Sequence, residues 1–406
     1  LCIKPDDASG DFQFSRNSAA TRVNAQGLVE NVQILSSNLV QNGDFSEEGV
    51  QEISNGSFSQ EGVQLVTNGS FDTDSDWNGV NTNGVTISNG SLNFSETTIS
   101  HNITQGGVAE VGKSYKATLT ISNYIKGSVR VLLGAGGTTQ EISANGTFTL
   151  YGVASINTIL YIQARGASGT TLSIESVSVR EVGQDWDLGT GWSIGEDKAV
   201  ADGTDTGVSG WLRQNDVVTP SKKYKATFDI TTNDSGIVLK FNDSINEVAY
   251  IEGSGSKIIY FTSSGSHIAF SQITGKTASI TNISVKEVGQ NWDLGDWSVG
   301  DSLASSGNTA SLLQQPTIYT NATGIYKTTF KAKSVNGTSV TLRLYDGSTN
   351  FETFTITSSD FQDFELIRQR AGTDTTLSFY NNSNAEIEIT NISVIEITDD
   401  TNLPRI

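Results

Sequence analysis

Three stretches of strict alternation stand out along the chain, each opening on a tyrosine: Tyr115–Ser122, Tyr224–Thr231 and Tyr326–Lys333. Tyr115, Ala117, Leu119 and Ile121 fall on one side, with Lys116, Thr118 and Thr120 on the other, and Tyr224, Ala226, Phe228 and Ile230 repeat the pattern. A period of two predicts a strand with one face in a core and the other in water. Each copy ends in a second apolar stretch, at 172–182, 279–288 and 388–397, where the phase slips at one place. Ile174 to Val177, Ile280 to Ile283 and Ile389 to Ile392 are three residues apart rather than two. A shared β-bulge that bends the sheet is the expected cause.

The copies extend beyond these strands. Val179–Gly189 and Val285–Gly295 differ only by Arg180 against Lys286 and Asp185 against Asn291, and they begin 106 residues apart. A period of that size with many short strands and Gly/Asn turns predicts tandem β-sandwiches. The expected organisation is an N-terminal arm at 1–37, short repeats at 38–64, sandwiches at 65–183, 184–289 and 290–397, and a tail at 398–406. Joints such as Glu181–Gln184 and Glu287–Gln290 are too short for free linkers, so a semi-rigid rod is expected. The short repeats carry Asn42-Gly-Asp-Phe, Asn55-Gly-Ser-Phe and Asn68-Gly-Ser-Phe at 13-residue spacing. The third leads into Trp77 and the first sandwich. The first two are expected to be duplicated opening segments without a sandwich of their own, laid along a neighbouring surface, since so short a unit cannot make a core.

Composition narrows the function classes. Asp and Glu outnumber Lys and Arg by 44 to 25, a net charge of −19, which repels nucleic acid and anionic membranes. Cys2 is the only cysteine, and His101 and His267 are the only histidines. Zinc sites, Cys/His pairs and Ser-His-Asp triads need more than that supply. No apolar run approaches the roughly 20 residues of a membrane-spanning helix. The first residue is Leu1 rather than methionine, which reads as processing or an incomplete start.

An Asn-Gly-x-Phe segment, then a tryptophan, then a sandwich closing on an Ile-Ser-Val-x-Glu strand resembles the jelly-roll carbohydrate-binding modules of the family 4/9/16/22 type. The second and third copies depart from this, opening on Gln184-Asp-Trp-Asp187 and Gln290-Asn-Trp-Asp293 without an Asn-Gly-x-Phe start. The resemblance implies an all-β fold of three tandem jelly-roll β-sandwiches with an irregular N-terminal arm. Separately, Phe12–Glu30 resembles a segment near the start of tailed-phage virion proteins, where it runs soon into Asn-x-Pro-Arg-(Leu/Ile). Here Asn402-Leu-Pro-Arg-Ile406 stands at the far end. The sandwiches therefore look inserted between two halves of one phage module, so residues 26–33 and 401–406 are expected to lie close together.

Candidate site residues follow from the sugar-binder resemblance, in which an aromatic platform takes the sugar's apolar face and amides bond its hydroxyls. Trp211, Arg213 and Gln214 would form such a set in the second sandwich, with His101 and Gln105 in the first and Gln315, below Leu312, in the third. The plainer alternative is that the glutamines satisfy a sheet edge and Trp211 is core or interface, because the other copies lack the aromatic. Trp77, Trp186, Trp192, Trp292 and Trp297 recur near each opening and are expected to pack under a loop. Asp72, Asp74 and Asp76 imitate half a calcium loop, but Trp77 and Asn83 occupy its glycine and glutamate positions, which excludes an EF-hand. The resemblance admits a structural calcium near Glu181, Glu287 and Glu396, against the simpler reading of solvated or lysine-paired glutamates. Otherwise no cofactor is expected. Asn-x-Ser/Thr sequons such as Asn282 and Asn391 are at the frequency chance gives in so Asn- and Ser-rich a chain.

These readings point to a non-enzymatic phage virion protein, a fibre or capsid-decorating element at the virion surface. Its expected partners are other virion proteins, further copies of itself (a trimer favoured) and host surface glycans, with no nucleic acid and no membrane insertion. The alternative is a polysaccharide-binding array from a secreted bacterial enzyme or adhesin.

Overall fold

The computed structural model describes residues 21–399 apart from 24–26, 28, 32, 136, 139, 206, 245, 308, 309, 347, 348 and 384. The virion-like segment at 12–30 falls largely outside these residues, as does the tail motif at 402–406. Among the described residues every regular element is a strand except one 3-10 turn, Val208–Gly210. Among these residues no helix is long and apolar enough to cross a membrane. The fold is all-β, of jelly-roll sandwich type. The chain divides into two compact units, Val50–Lys286 and Leu1–Gly49 with Glu287–Ile406.

Unit Val50–Lys286 holds two pairs of sheets. In the first sandwich, a five-stranded sheet runs in the order 146–153, 114–126, 170–182, 91–97, 85–88, and a four-stranded sheet runs 137–138, 129–133, 160–164, 102–105. Tyr115, Ala117, Leu119 and Ile121 face Ile103, Val131 and Ile162 in one buried cluster, as the alternation predicts. In the second sandwich Tyr224, Ala226, Phe228 and Ile230 fill the same role against Leu212, Phe241 and Phe270. The other unit holds one such pair, where Phe330 meets Phe354 and Phe379 across the layers at 5.1 Å each. All three tyrosines that lead these strands are buried. The hydroxyl of each accepts the backbone N–H five residues upstream: Glu110 to Tyr115, Thr219 to Tyr224 and Asn321 to Tyr326, at 2.7–3.0 Å.

The closing strands, Thr170–Val182, Ala278–Val288 and Ile387–Asp399, carry the phase slip as expected. Register shifts between Ile174 and Ser176 in the first, and Thr390 to Ser393 spans one residue more than its partners Lys331 to Thr329 in the third. Asn282 and Asn391 sit at the slip with φ of 55° and 53°, a region asparagine tolerates better than most residues. The bulge has a consequence for pairing. Before it, each closing strand bonds a strand of its own sandwich: 91–97, 198–201 and 303–305 respectively. Beyond it, that edge carries open donors and acceptors.

The N-terminal segments cover those edges, and here the structure corrects the sequence reading. The first two Asn-Gly-x-Phe segments are not without sandwiches. Asn68 serves the first sandwich, Asn55 the second and Asn42 the third, in reverse order along the chain. Leu65 N–H donates to Val179 O in the first, Glu52 N–H to Val285 O in the second and Leu39 N–H to Val394 O in the third. The second and third sandwiches thus do have an Asn-Gly-x-Phe start, delivered from far upstream. Farther along the third edge, Gln33–Leu35 pairs antiparallel with Ile397–Asp399. The chain therefore leaves this unit's sheet and returns beside its own starting point. The expected meeting of 26–33 with 401–406 itself falls outside the described residues.

Candidate functional site

Two places concentrate the residues that the sequence singles out. The first is the clamp that receives each Asn-Gly-x-Phe segment, built three times from the same parts. Asn42, Asn55 and Asn68 have φ of 48°, 46° and 51°, and Phe45, Phe58 and Phe71 have φ of 57°, 55° and 56°. Left-handed backbone at phenylalanine is uncommon and holds only where the surroundings impose it. The imposing contact is a tryptophan. Phe45 packs on Trp292, Phe58 on Trp186 and Phe71 on Trp77, with ring centroids 5.3, 5.3 and 5.4 Å apart. Each indole N–H donates to the carbonyl of the segment's asparagine, at 3.0, 3.1 and 3.1 Å.

The glycine between them is required by space rather than by φ. A Cβ on Gly43, Gly56 or Gly69 would lie 2.0, 2.0 and 2.3 Å from the carbonyl oxygen of Ile392, Ile283 and Val177. The same glycines' carbonyls accept from those residues' N–H groups, at 2.8–2.9 Å. A second 13-residue series went unread in the sequence: Asn38, Gln51 and Gln64 each accept from a closing-strand N–H (Val394, Val285, Val179) through the side-chain oxygen. Three amides at that spacing, and three segments for three tryptophan-led sandwiches, were the signals that every sandwich has a segment of its own, though not which one.

Gln105, Gln214 and Gln315 belong to these clamps. Each side-chain oxygen accepts the N–H of the residue before the segment's asparagine, and each Nε2 donates to that residue's carbonyl. Thr67, Ser54 and Gln41 are the partners, at 2.8–2.9 Å. All three glutamines are buried. Their amides close a sheet edge, which is the plainer of the two sequence readings. Trp77, Trp186, Trp192, Trp292 and Trp297 are buried as expected, and the Trp192 and Trp297 indoles donate to Gly210 O and Ser311 O. His101 is half-buried, its Nε2 donating to Gly79 O at 2.8 Å.

The second place is a groove of about 550 Å³ within unit Val50–Lys286, lined from the first sandwich by Val111–Ser114 and Glu181 and from the second by Trp186, Asp187, Trp211 and Arg213. The near-duplicated stretch Val179–Gly189 thus forms much of one wall. Trp211 is half-buried, 6.3 Å from His267 between centroids. Arg213 donates to Asp187 Oδ2 through Nη2 at 2.9 Å, and Asn215 donates to the same oxygen at 2.8 Å. Lys113 lies 3.2 Å from both Glu110 and Glu181, and hydrogen bonds to these two carboxylates raise its pKa above the ordinary lysine value. The groove therefore sets the Trp211 edge beside two ion pairs, Lys113 with Glu181 and Arg213 with Asp187. Trp211 and Arg213 meet there, whereas Gln214 faces the clamp. Lys113, Glu181 and Asp187 were not read as part of such a set.

Of the calcium candidates, Glu181 pairs with Lys113, and Glu396 Oε1 accepts from Asn321 Nδ2 at 2.6 Å. Glu287 lies beside Gly49 and Gln290. Among the described residues no three His, Cys, Asp or Glu side chains gather as a metal cluster.

No known family matches the sequence, and no curated protein matches it either. Solved structures do. The tandem CBM22-1–CBM22-2 domain of Paenibacillus barcinonensis Xyn10C is 10% identical over 56% of this chain and 99% of its own, with a TM-score of 0.23. The triple jelly-roll protein of an archaeal virus turret is 14% identical over 74% of this chain and 84% of its own, at a TM-score of 0.22. A chain of Sulfolobus turreted icosahedral virus is 14% identical over 76% and 85%, again at 0.22.

Proposed function

We propose that this protein is a non-enzymatic structural element of a virus particle, a tailed-phage fibre or capsid-decorating protein that presents jelly-roll sandwiches at the virion surface. The observation that carries the reading is the pairing of Gln33–Leu35 with Ile397–Asp399. It brings the stretch just after the virion-like segment 12–30 beside the stretch just before Asn402–Ile406, as an insertion into one phage module requires. The threefold chemistry supports a structural role. The recurring Asn, Phe, Trp, Gln and Tyr side chains pack on one another or bond the backbone, and the recurring glycines let the segment approach the closing strand. A surface with net charge −19 keeps a crowded assembly soluble. Neighbouring virion proteins and further copies of the chain are its partners in this reading. Electron microscopy of particles with and without this gene product tests it; identical particles would rule it out.

A second reading is favoured by one observation, the groove with Trp211 and Arg213. It is a polysaccharide-binding array in which weak contacts add through multivalency. A glycan array probed with the intact chain and with Trp211→Ala distinguishes the two. Binding that Trp211→Ala abolishes supports the array, and absence of binding leaves the sandwiches as spacers. Release of reducing ends from host capsule would contradict the non-enzymatic part of both.

A further inference from the structure

Each closing strand ends on an outer face that looks away from its own core, and the first and third sandwiches furnish that face differently. Residues directly opposed in antiparallel strands share a face, which gives a like-for-like register. In the first sandwich Glu61 lies opposite Val182, and Lys116 opposite both Arg180 and Tyr151. In the third, Leu35 lies opposite Ile397, and Lys327 opposite both Ile395 and Ile367. The second sandwich covers the first face. Val182 is buried in that sandwich's core, Tyr151 packs against it, and the Glu196 backbone hydrogen-bonds the Tyr151 hydroxyl. The charges there are paired, Glu61 with both Lys116 and Arg180. In the third copy Leu35 and Ile395 stand in place of Glu61 and Arg180, and Ile367 in place of Tyr151. Leu35, Ile325 and Ile367 are 54%, 43% and 53% exposed on this one face. Lys327 is already paired with Glu365 at 2.9 Å. The face thus calls for an apolar cover rather than a charged one.

Where the chain runs identifies the cover. At the first sandwich the two strands that leave by this face continue to Phe58 and Trp186, both in the core of the second sandwich, and that body closes the face. At the third, Gln33–Leu35 and Ile397–Asp399 leave together. Upstream, Thr21–Val23 folds back on Val29–Asn31 with Thr21 opposite Asn31, so the arm before Thr21 begins beside the start of the Gln33 strand. We propose that this face is a docking site for the chain's own N-terminal arm, with Phe12 and Phe14 seated against Leu35, Ile325 and Ile367. These two are the only aromatic residues before Thr21, and a spacing of two puts both rings on one side of an extended chain. The reach suffices. From strand 33–35 across to strand 362–369 is three strand spacings, about 14 Å, and the stretch from Phe14 to Thr21 spans up to about 23 Å. The docked arm returns to the third face the aromatic that Tyr151 supplies in the first. The inference stands apart from the virion reading, because the face and the reach of the arm are the same whatever the assembly is for.

The test uses the full-length chain and two readouts. In methyl spectra of isoleucine-labelled protein, Ile325 and Ile367 are expected to carry ring-current shifts that vanish in Phe12→Ser/Phe14→Ser, while the core methyls of Ile103 and Ile389 stay in place. Trypsin is expected to cut after Arg16 at least about 10-fold faster in that variant, and in Ile367→Asp, than in the wild type, because only the undocked arm is open to the protease. Ile325 and Ile367 signals that are the same with and without the two phenylalanines overturn the proposal, as do equal cleavage rates. Shifts that grow with protein concentration assign the face to a second copy and overturn it too. Should Ile367→Asp fail to fold, Leu35→Ser takes its place in the cleavage comparison, with the same two outcomes.

Discussion

The first sandwich is closed by a segment whose asparagine lies nine residues before its tryptophan, and the third by one that lies 250 residues before it. The indole bond is 3.1 Å in one and 3.0 Å in the other, the ring contacts are 5.4 and 5.3 Å, and both phenylalanines take the same left-handed backbone. Sequence distance thus leaves no trace in the native geometry. It acts on the unfolded chain, where five doublings of a closing loop cost about 3 kcal/mol of entropy in total. The same contact is therefore harder to reach in the third sandwich but, once made, as good.

The comparison breaks most visibly at the phenylalanines. Phe71→Ala and Phe45→Ala are each expected to remove about 3–5 kcal/mol, the usual loss for a buried aromatic. Unfolding by denaturant checks this, and a much smaller loss at Phe45 would mean that the third clamp is only loosely filled. Gly69→Ala and Gly43→Ala come next at about 1–3 kcal/mol each, because the new Cβ must displace a carbonyl oxygen. Gln105→Leu and Gln315→Leu are expected to cost about 1–3 kcal/mol by leaving a segment N–H and C=O unpaired. Hydrogen exchange at the Thr67 and Gln41 amides should then accelerate while the tyrosine-led strands stay protected.

Alkaline pH offers a milder probe of both ends. Burial, ahead of any charge, holds the Tyr115 and Tyr326 phenols above their ordinary pKa. Below about pH 10 both states carry the proton and this stabilisation is fully present; as pH rises further the unfolded chain ionises first and stability falls. Thermal melts should decline above that pH, less steeply in Tyr115→Phe and Tyr326→Phe, and a flat wild-type profile would contradict the burial. The smallest effect is expected at Glu61, whose carboxylate meets Lys116 at 2.5 Å and Arg180 at 3.6 Å on a partly exposed surface. Glu61→Gln should cost less than about 1 kcal/mol, and that little should vanish in high salt.

Much of this fold was legible in the chain. The tyrosine-led alternation predicted core-facing strands, and the slip from Ile389 to Ile392 predicted a bulge, since period and phase are local properties that burial on one face imposes directly. The burial of the five tryptophans was equally legible from their recurrence. The partner of each bulged edge was not. Three near-identical Asn-Gly-x-Phe segments and three equivalent edges admit several pairings, and nothing local ranks them.

Residue pattern therefore decided what each piece is: strand, bulge, segment, clamp. Only the tertiary structure decided which segment closes which sandwich, and that Trp211 and Arg213 share a groove with Lys113 and Glu181. The reason is physical. Hydrogen bonds and ring contacts reach a few ångströms and carry no memory of sequence separation, so identical parts are distinguished only by how folding brings them together.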